Sequence, residues 1–177
     1  MLESYLKLLG QGYYEVTFAF KGLSDENVWK RPAPGLLSVG ELAGHLAYWE
    51  AVRLTSTAEG GEQADPIEEH QFLSKCKISS PLLDERFSYY PTTIDNPPSE
   101  ALLAMTAEQV CQELLRVHEE SVAYFKALNP ALDSTPPGWS HHWTYGSSLE
   151  YLVFHIAYHT GQMYSARHLL GDQTPDN

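Results

Sequence analysis

The 177-residue chain is short of cysteine, of positive charge and of long apolar runs, and each shortage removes a class of protein. Two cysteines, Cys76 and Cys111, are too few for a disulfide framework, and neither has metal-ligand spacing. Eleven Lys and Arg stand against 23 Asp and Glu, a formal net charge of −12. A surface this acidic repels phosphate backbones and anionic headgroups, so neither nucleic acid nor a membrane surface is expected as a partner. No stretch approaches the ~20 apolar residues of a membrane span. The opening segment, MLESYLKLLGQGYYEV, carries an early acid and an amphipathic pattern. It lacks the basic start, apolar block and small-residue cleavage site of a signal peptide, so the expected location is cytoplasmic. Also missing are a glycine-rich phosphate loop, a nucleophile elbow and an H-E-x-x-H zinc motif.

What is present is a chain that is 43% hydrophobic, rich enough to build a core, with eight histidines and four tryptophans. At roughly 100–200 residues per domain, 1–177 reads as one domain. Leu2, Leu6, Leu9, Tyr13, Val16 and Phe20 trace one apolar stripe on a first long helix, and a short segment, Ser24–Trp29, follows. Ser38-Val39-Gly40-Glu41 has the form of a capping box and opens a second long helix, expected to reach about Thr57 before Gly60-Gly61. Residues 61–105, punctuated by five prolines, form an irregular crossover with a helical turn near Glu68–Cys76 and an aromatic tract at Phe87–Pro91. Thr106-Ala107-Glu108-Gln109 opens a third long helix running to Asn129-Pro130. Ser147-Ser148-Leu149-Glu150 opens a fourth, stopped at Gly171. The expectation is an all-α fold. It is a four-helix bundle whose long crossover between the second and third long helices lets those two run parallel.

Histidines supply the chemistry. His155 and His159 are four apart, so both imidazoles leave one face of the last helix. Two such rings can share a metal ion, or can be two hydrogen-bonded core histidines; eight histidines make a chance pair common. His45 favours the metal. It lies ~10 Å past Ser38, and His155 and His159 lie ~12 and ~18 Å past Ser147, so a modest stagger brings all three to one level. Three inward imidazoles from two facing helices leave open coordination positions for water or substrate. His118, Gln162, Trp49 and Arg53 are the pocket candidates. His118 is read as a core or supporting histidine, Gln162 as a partner of a ligand or as a solvent-facing polar residue, and Arg53 as a contact for an anion at the mouth or as a surface ion pair. Glu50 and Glu150 are read as surface or cap residues. His141-His142 is read as a solvated loop pair, and His70 and His168 have no evident partner.

The segments SVGELAGHLAYWE (Ser38–Glu50) and FHIAYHTGQMYSARHLLG (Phe154–Gly171) resemble the DinB/YfiT-like family of metalloenzymes. One family histidine matches His45, and the pattern H-x-x-x-H-x-G-Q matches His155, His159, Gly161 and Gln162. Thr160 stands where the family often has arginine. The resemblance implies a divalent ion on His45, His155 and His159; three neutral imidazoles fit Zn or Ni, with Fe also fitting. The resemblance also implies a homodimer and a metal-dependent transfer of a low-molecular-weight thiol to an electrophilic small-molecule substrate. The competing readings are a metal-assisted hydrolase, which needs a general base near the bound water, and a non-catalytic metal- or ligand-binding protein of stress responses. A fourth position closed by a side chain such as His118 would favour the last.

Overall fold

The apolar stripe at the start of the chain becomes α1 (Leu2–Phe20), which buries Leu6, Leu9, Tyr13, Val16 and Phe20. In the computed structural model the described residues are 1–55, 76–89, 98–137, 139 and 143–175. Over them the chain is all α, as expected. The further helices are α2 (Asp25–Val28), α3 (Val39–Thr55), α4 (Glu100–Leu103), α5 (Ala107–Leu128) and α6 (Tyr145–Leu169), with a 3-10 turn at Glu85–Ser88. The turn expected near Glu68–Cys76, the stop at Gly60-Gly61, the end of the aromatic tract, and His70, His141 and His142 lie outside the described residues.

Reciprocal caps start three of the four long helices, α1 having no side-chain cap. The Glu41 amide donates to Ser38 Oγ at 3.2 Å, and the Ser38 amide donates to Glu41 Oε2 at 2.8 Å. Thr106 and Gln109 make the same pair of bonds before α5. At α6 the structure corrects the sequence reading. The cap is Thr144: the Ser147 amide donates to Thr144 Oγ1 at 3.1 Å, and the Thr144 amide donates to Ser147 Oγ at 2.8 Å. Thr144-x-x-Ser147 satisfies the orphan amides one turn earlier than Ser147-x-x-Glu150 would, and so gains a turn of helix. Glu150 is thereby left to accept a hydrogen bond from the Tyr5 hydroxyl at 2.6 Å.

Side-chain pairings fix the helix directions. Tyr5 meets Glu150, Tyr164 reaches the Glu15 carbonyl, and Arg167 donates to the Ala19 carbonyl, so α1 and α6 run parallel. A Cβ on Gly12 would fall 2.6 Å from Ile156, so these two helices approach at a point where only glycine fits. Helix α3 runs against α6: Arg53, late in α3, lies over Tyr151, early in α6. Leu42, early in α3, shares a recess with Ala166, late in α6. Helix α3 also packs on α5, and α5 packs on α1, which closes the ring of four long helices. Every residue of α3 except His45 is buried.

Burying a helix all round obliges its polar residues to find partners. Glu41 receives Arg31 through Nε and Nη2, and Arg86 through Nη2 at 3.0 Å. Glu50 receives the Nδ1 of His118 at 2.7 Å and a hydrogen bond from Tyr13, whose ring stacks on His118 at 3.8 Å. Burial, and then the Glu50 charge, push the Tyr13 phenol well up from its ordinary range.

Candidate metal centre

His45, Trp49 and Arg53 recur every four residues along α3 and face Tyr151, His155, His159 and Gln162 on α6. Because the helices run opposite ways, the two rows meet in reverse order. Arg53 lies over Tyr151 at 4.3 Å, and the imidazoles meet in the middle. His45 Nε2 and His155 Nε2 are 3.1 Å apart. Ring centroids separate by 4.7 Å for His45–His159 and 4.4 Å for His155–His159. One nitrogen from each ring lies within 4.8 Å of the other two, and among the described residues the group comprises these three.

The donor set fits a divalent ion. Two nitrogens bound at ~2.0–2.1 Å in a tetrahedral shell stand ~3.3–3.4 Å apart, close to the His45–His155 separation. Each ligand must also offer a lone pair, and the surrounding bonds decide which nitrogen does so. His45 Nδ1–H donates to the Phe87 carbonyl at 2.7 Å, and His159 Nδ1–H donates to Gln162 Oε1 at 2.6 Å. Gln162 in turn donates its Nε2–H to the Tyr158 hydroxyl at 3.1 Å, which fixes the amide's orientation. With Nδ1 carrying the proton, Nε2 of both rings is the acceptor, which is the arrangement that metal-ligating histidines adopt.

Electrostatics keep the rings neutral. Burial, reinforced by the neighbouring His159, pushes His45 down to about 3. Burial lowers His155 further, with His45, His159 and Arg53 adding repulsion, and it lowers His159 against the opposing bond to Gln162. Neutral imidazole is the ligating form.

The other sequence candidates separate. Gln162 belongs to the site, as the holder of His159. Trp49 lines it, with its ring 6.4 Å from His45. Arg53 is no surface residue: it is 5% exposed, and its guanidinium lies 4.0 Å from the Trp143 ring and within 5.6 Å of Trp49 and Trp139. His118 is not brought to the trio; it belongs to the interior cluster with Glu50 and Tyr13. Glu50, expected at the surface, is 1% exposed. His168, at the end of α6, meets Thr174. The supporting group that the sequence reading missed is the Phe87 carbonyl, a main-chain atom with no side-chain signature. Its neighbour Tyr89 also packs on His45, with centroids 5.0 Å apart.

Among the described residues, four long helices in mutual contact, with three converging neutral imidazoles on two antiparallel neighbours, define a helical protein with a candidate metal centre. The family model of the DinB superfamily matches residues 8–163, and the chain belongs to that superfamily. No curated protein and no solved structure matches it.

Proposed function

We propose that this protein is a divalent-metal-dependent enzyme that joins a low-molecular-weight thiol to an electrophilic small molecule. The observation that carries the metal part of this reading is the pair of Nε2 atoms 3.1 Å apart, each on a buried or partly buried ring, with the outer nitrogens of His45 and His159 engaged elsewhere; the thiol transfer rests on the resemblance of the two histidine segments to the DinB/YfiT-like family. His45, His155 and His159 would hold the ion. When bound, a divalent cation in such a site supplies Lewis acidity and lowers the pKa of water or thiol at its open positions. The chain's own residues set the conditions for that chemistry. Phe87 and Gln162 orient two of the imidazoles. Arg53, walled by aromatic rings, places a positive charge near His155, which favours thiolate over thiol nearby.

A recess of about 250 Å³ opens one turn from the trio, lined by Leu37, Leu42 and Ala166 beside Gln162, and offers an apolar wall to a small substrate. In the transfer, the thiol gives its proton to solvent and its sulfur forms a bond to the electrophilic carbon. The leaving group departs with the electron pair of the bond that breaks.

Two observations favour an enzyme over a closed structural site. His118, named as an example of a side chain that would close a fourth position, is committed to Glu50. Among the described residues the group also comprises three donors rather than four. The test is a steady-state panel of several thiols with a generic electrophile, run with and without chelator. Chelator-sensitive, thiol-dependent turnover is expected; its absence across the panel contradicts thiol transfer.

A further inference from the structure

The crossover between α3 and α5 does more than connect them, because its 3-10 turn supplies the acceptor that sets the tautomer of His45. Three contacts seat this turn on one face of α3. Arg86 Nη2 donates to Glu41 Oε1 at 3.0 Å. The Phe87 carbonyl accepts from His45 Nδ1 at 2.7 Å. Between them, the Phe87 ring lies flat over Gly44: a Cβ there would stand 2.6 Å from three of its ring atoms. Glu41, Gly44 and His45 fall within about one turn of α3, so the salt bridge, the ring and the carbonyl address one short stretch of helix. Phe87 is fully buried.

We propose that Gly44 is a positioning residue of the metal centre: its missing side chain lets the 85–88 turn lie close enough for the Phe87 carbonyl to hold His45 in the Nδ1–H form, with Nε2 turned to the ion. This deepens the metal reading and rests on it. The distances carry the argument. An ordinary carbon–carbon contact is ~3.5–4.0 Å, so a methyl group at Gly44 pushes the ring away by ~1 Å. A hydrogen bond of 2.7 Å stretched by ~1 Å passes beyond bonding distance. His45 then loses the bond that chooses its tautomer, and either ring nitrogen can carry the proton. Partners of this kind around metal-bound histidines are worth about 10–100-fold in metal affinity.

The experiment uses the tag-free full chain and two readouts. Nitrogen-15 NMR of the histidine rings in metal-free protein reads the tautomer of His45, and Zn²⁺ titration reads affinity. Wild type is expected to show His45 protonated at Nδ1. Gly44→Ala is expected to mix the tautomers and weaken Zn²⁺ binding about 10–100-fold. The double variant Gly44→Ala/Phe87→Leu, with a smaller side chain over the new methyl group, is expected to regain most of the loss. Gly44→Ala with unchanged tautomer and unchanged affinity overturns this inference alone. A wild type that takes up no Zn²⁺ or other divalent ion overturns the metal reading, and this inference with it. Should Gly44→Ala fail to fold, recovery of a folded protein with His45 protonated at Nδ1 in Gly44→Ala/Phe87→Leu upholds the assignment, and a double variant that still fails to fold, or a metal-free wild type protonated at Nε2, overturns it.

Discussion

Gln162 shows how much a single side chain can contribute from one turn away. Its Oε1 fixes His159, and its Nε2 is held by Tyr158. Gln162→Ala removes the acceptor while leaving the ligand in place. Metal affinity is expected to fall about 10–100-fold with the far-ultraviolet circular dichroism unchanged, as read by isothermal titration; an unaltered affinity would show that the amide does not orient the ring. The contact was legible in the sequence, because an i, i+3 neighbour of a histidine shares its helix face. The cysteines bear on the chemistry from the other direction. Burial pushes Cys76 and Cys111 up to about 11. At pH 8 such thiols are almost wholly protonated, so alkylation by iodoacetamide should run roughly 100-fold slower than for a free thiol. Fast labelling of either residue would make it a candidate nucleophile, a role the proposed chemistry assigns to an external thiol.

The helices test different physics. The closeness of α1 and α6 depends on Gly12, where Ile156 occupies the space of a side chain. Gly12→Ala overfills that contact and is expected to cost about 1–3 kcal/mol in urea denaturation, despite alanine's better helix propensity. A stabilised variant would contradict the close approach. The stripes made α1, α5 and α6 readable because burial on one face imposes a period of 3.6 residues; α3 showed a stripe as well although it is buried all round, and two of the three caps were readable from their own local capping-box pattern. The start of α6 was not, since Thr144-Ser147 and Ser147-Glu150 both fit a capping pattern and sequence alone does not rank them. Thr144→Ala should lower stability by about 1 kcal/mol.

Long-range partners are where sequence reading ends. Glu41 looked like half of a capping box, and it is that. It is also 2% exposed and clamps Arg86, which is equally buried and 45 residues away, together with Arg31. Glu50 looked like a surface acid because its partners His118 and Tyr13 come from other helices. No local pattern announces such pairs; they exist because α3 is covered on every side. Glu41→Ala would leave the Arg86 charge buried without its carboxylate and is expected to cost about 3–5 kcal/mol, read as a lowered denaturation midpoint. The three imidazoles, by contrast, were foreseeable as a group, because two lie on one helix face and the third sits at a matching depth on a neighbour.

Everything said about chemistry depends on those rings sharing one cation. Elemental analysis of tag-free protein, purified without added metal and compared with His45→Ala, addresses that directly, since a polyhistidine tag can itself carry nickel. One divalent ion per chain in the wild type, lost or sharply reduced in His45→Ala, is the predicted result. A wild type without metal, or an ion retained in full after His45 is removed, would contradict it.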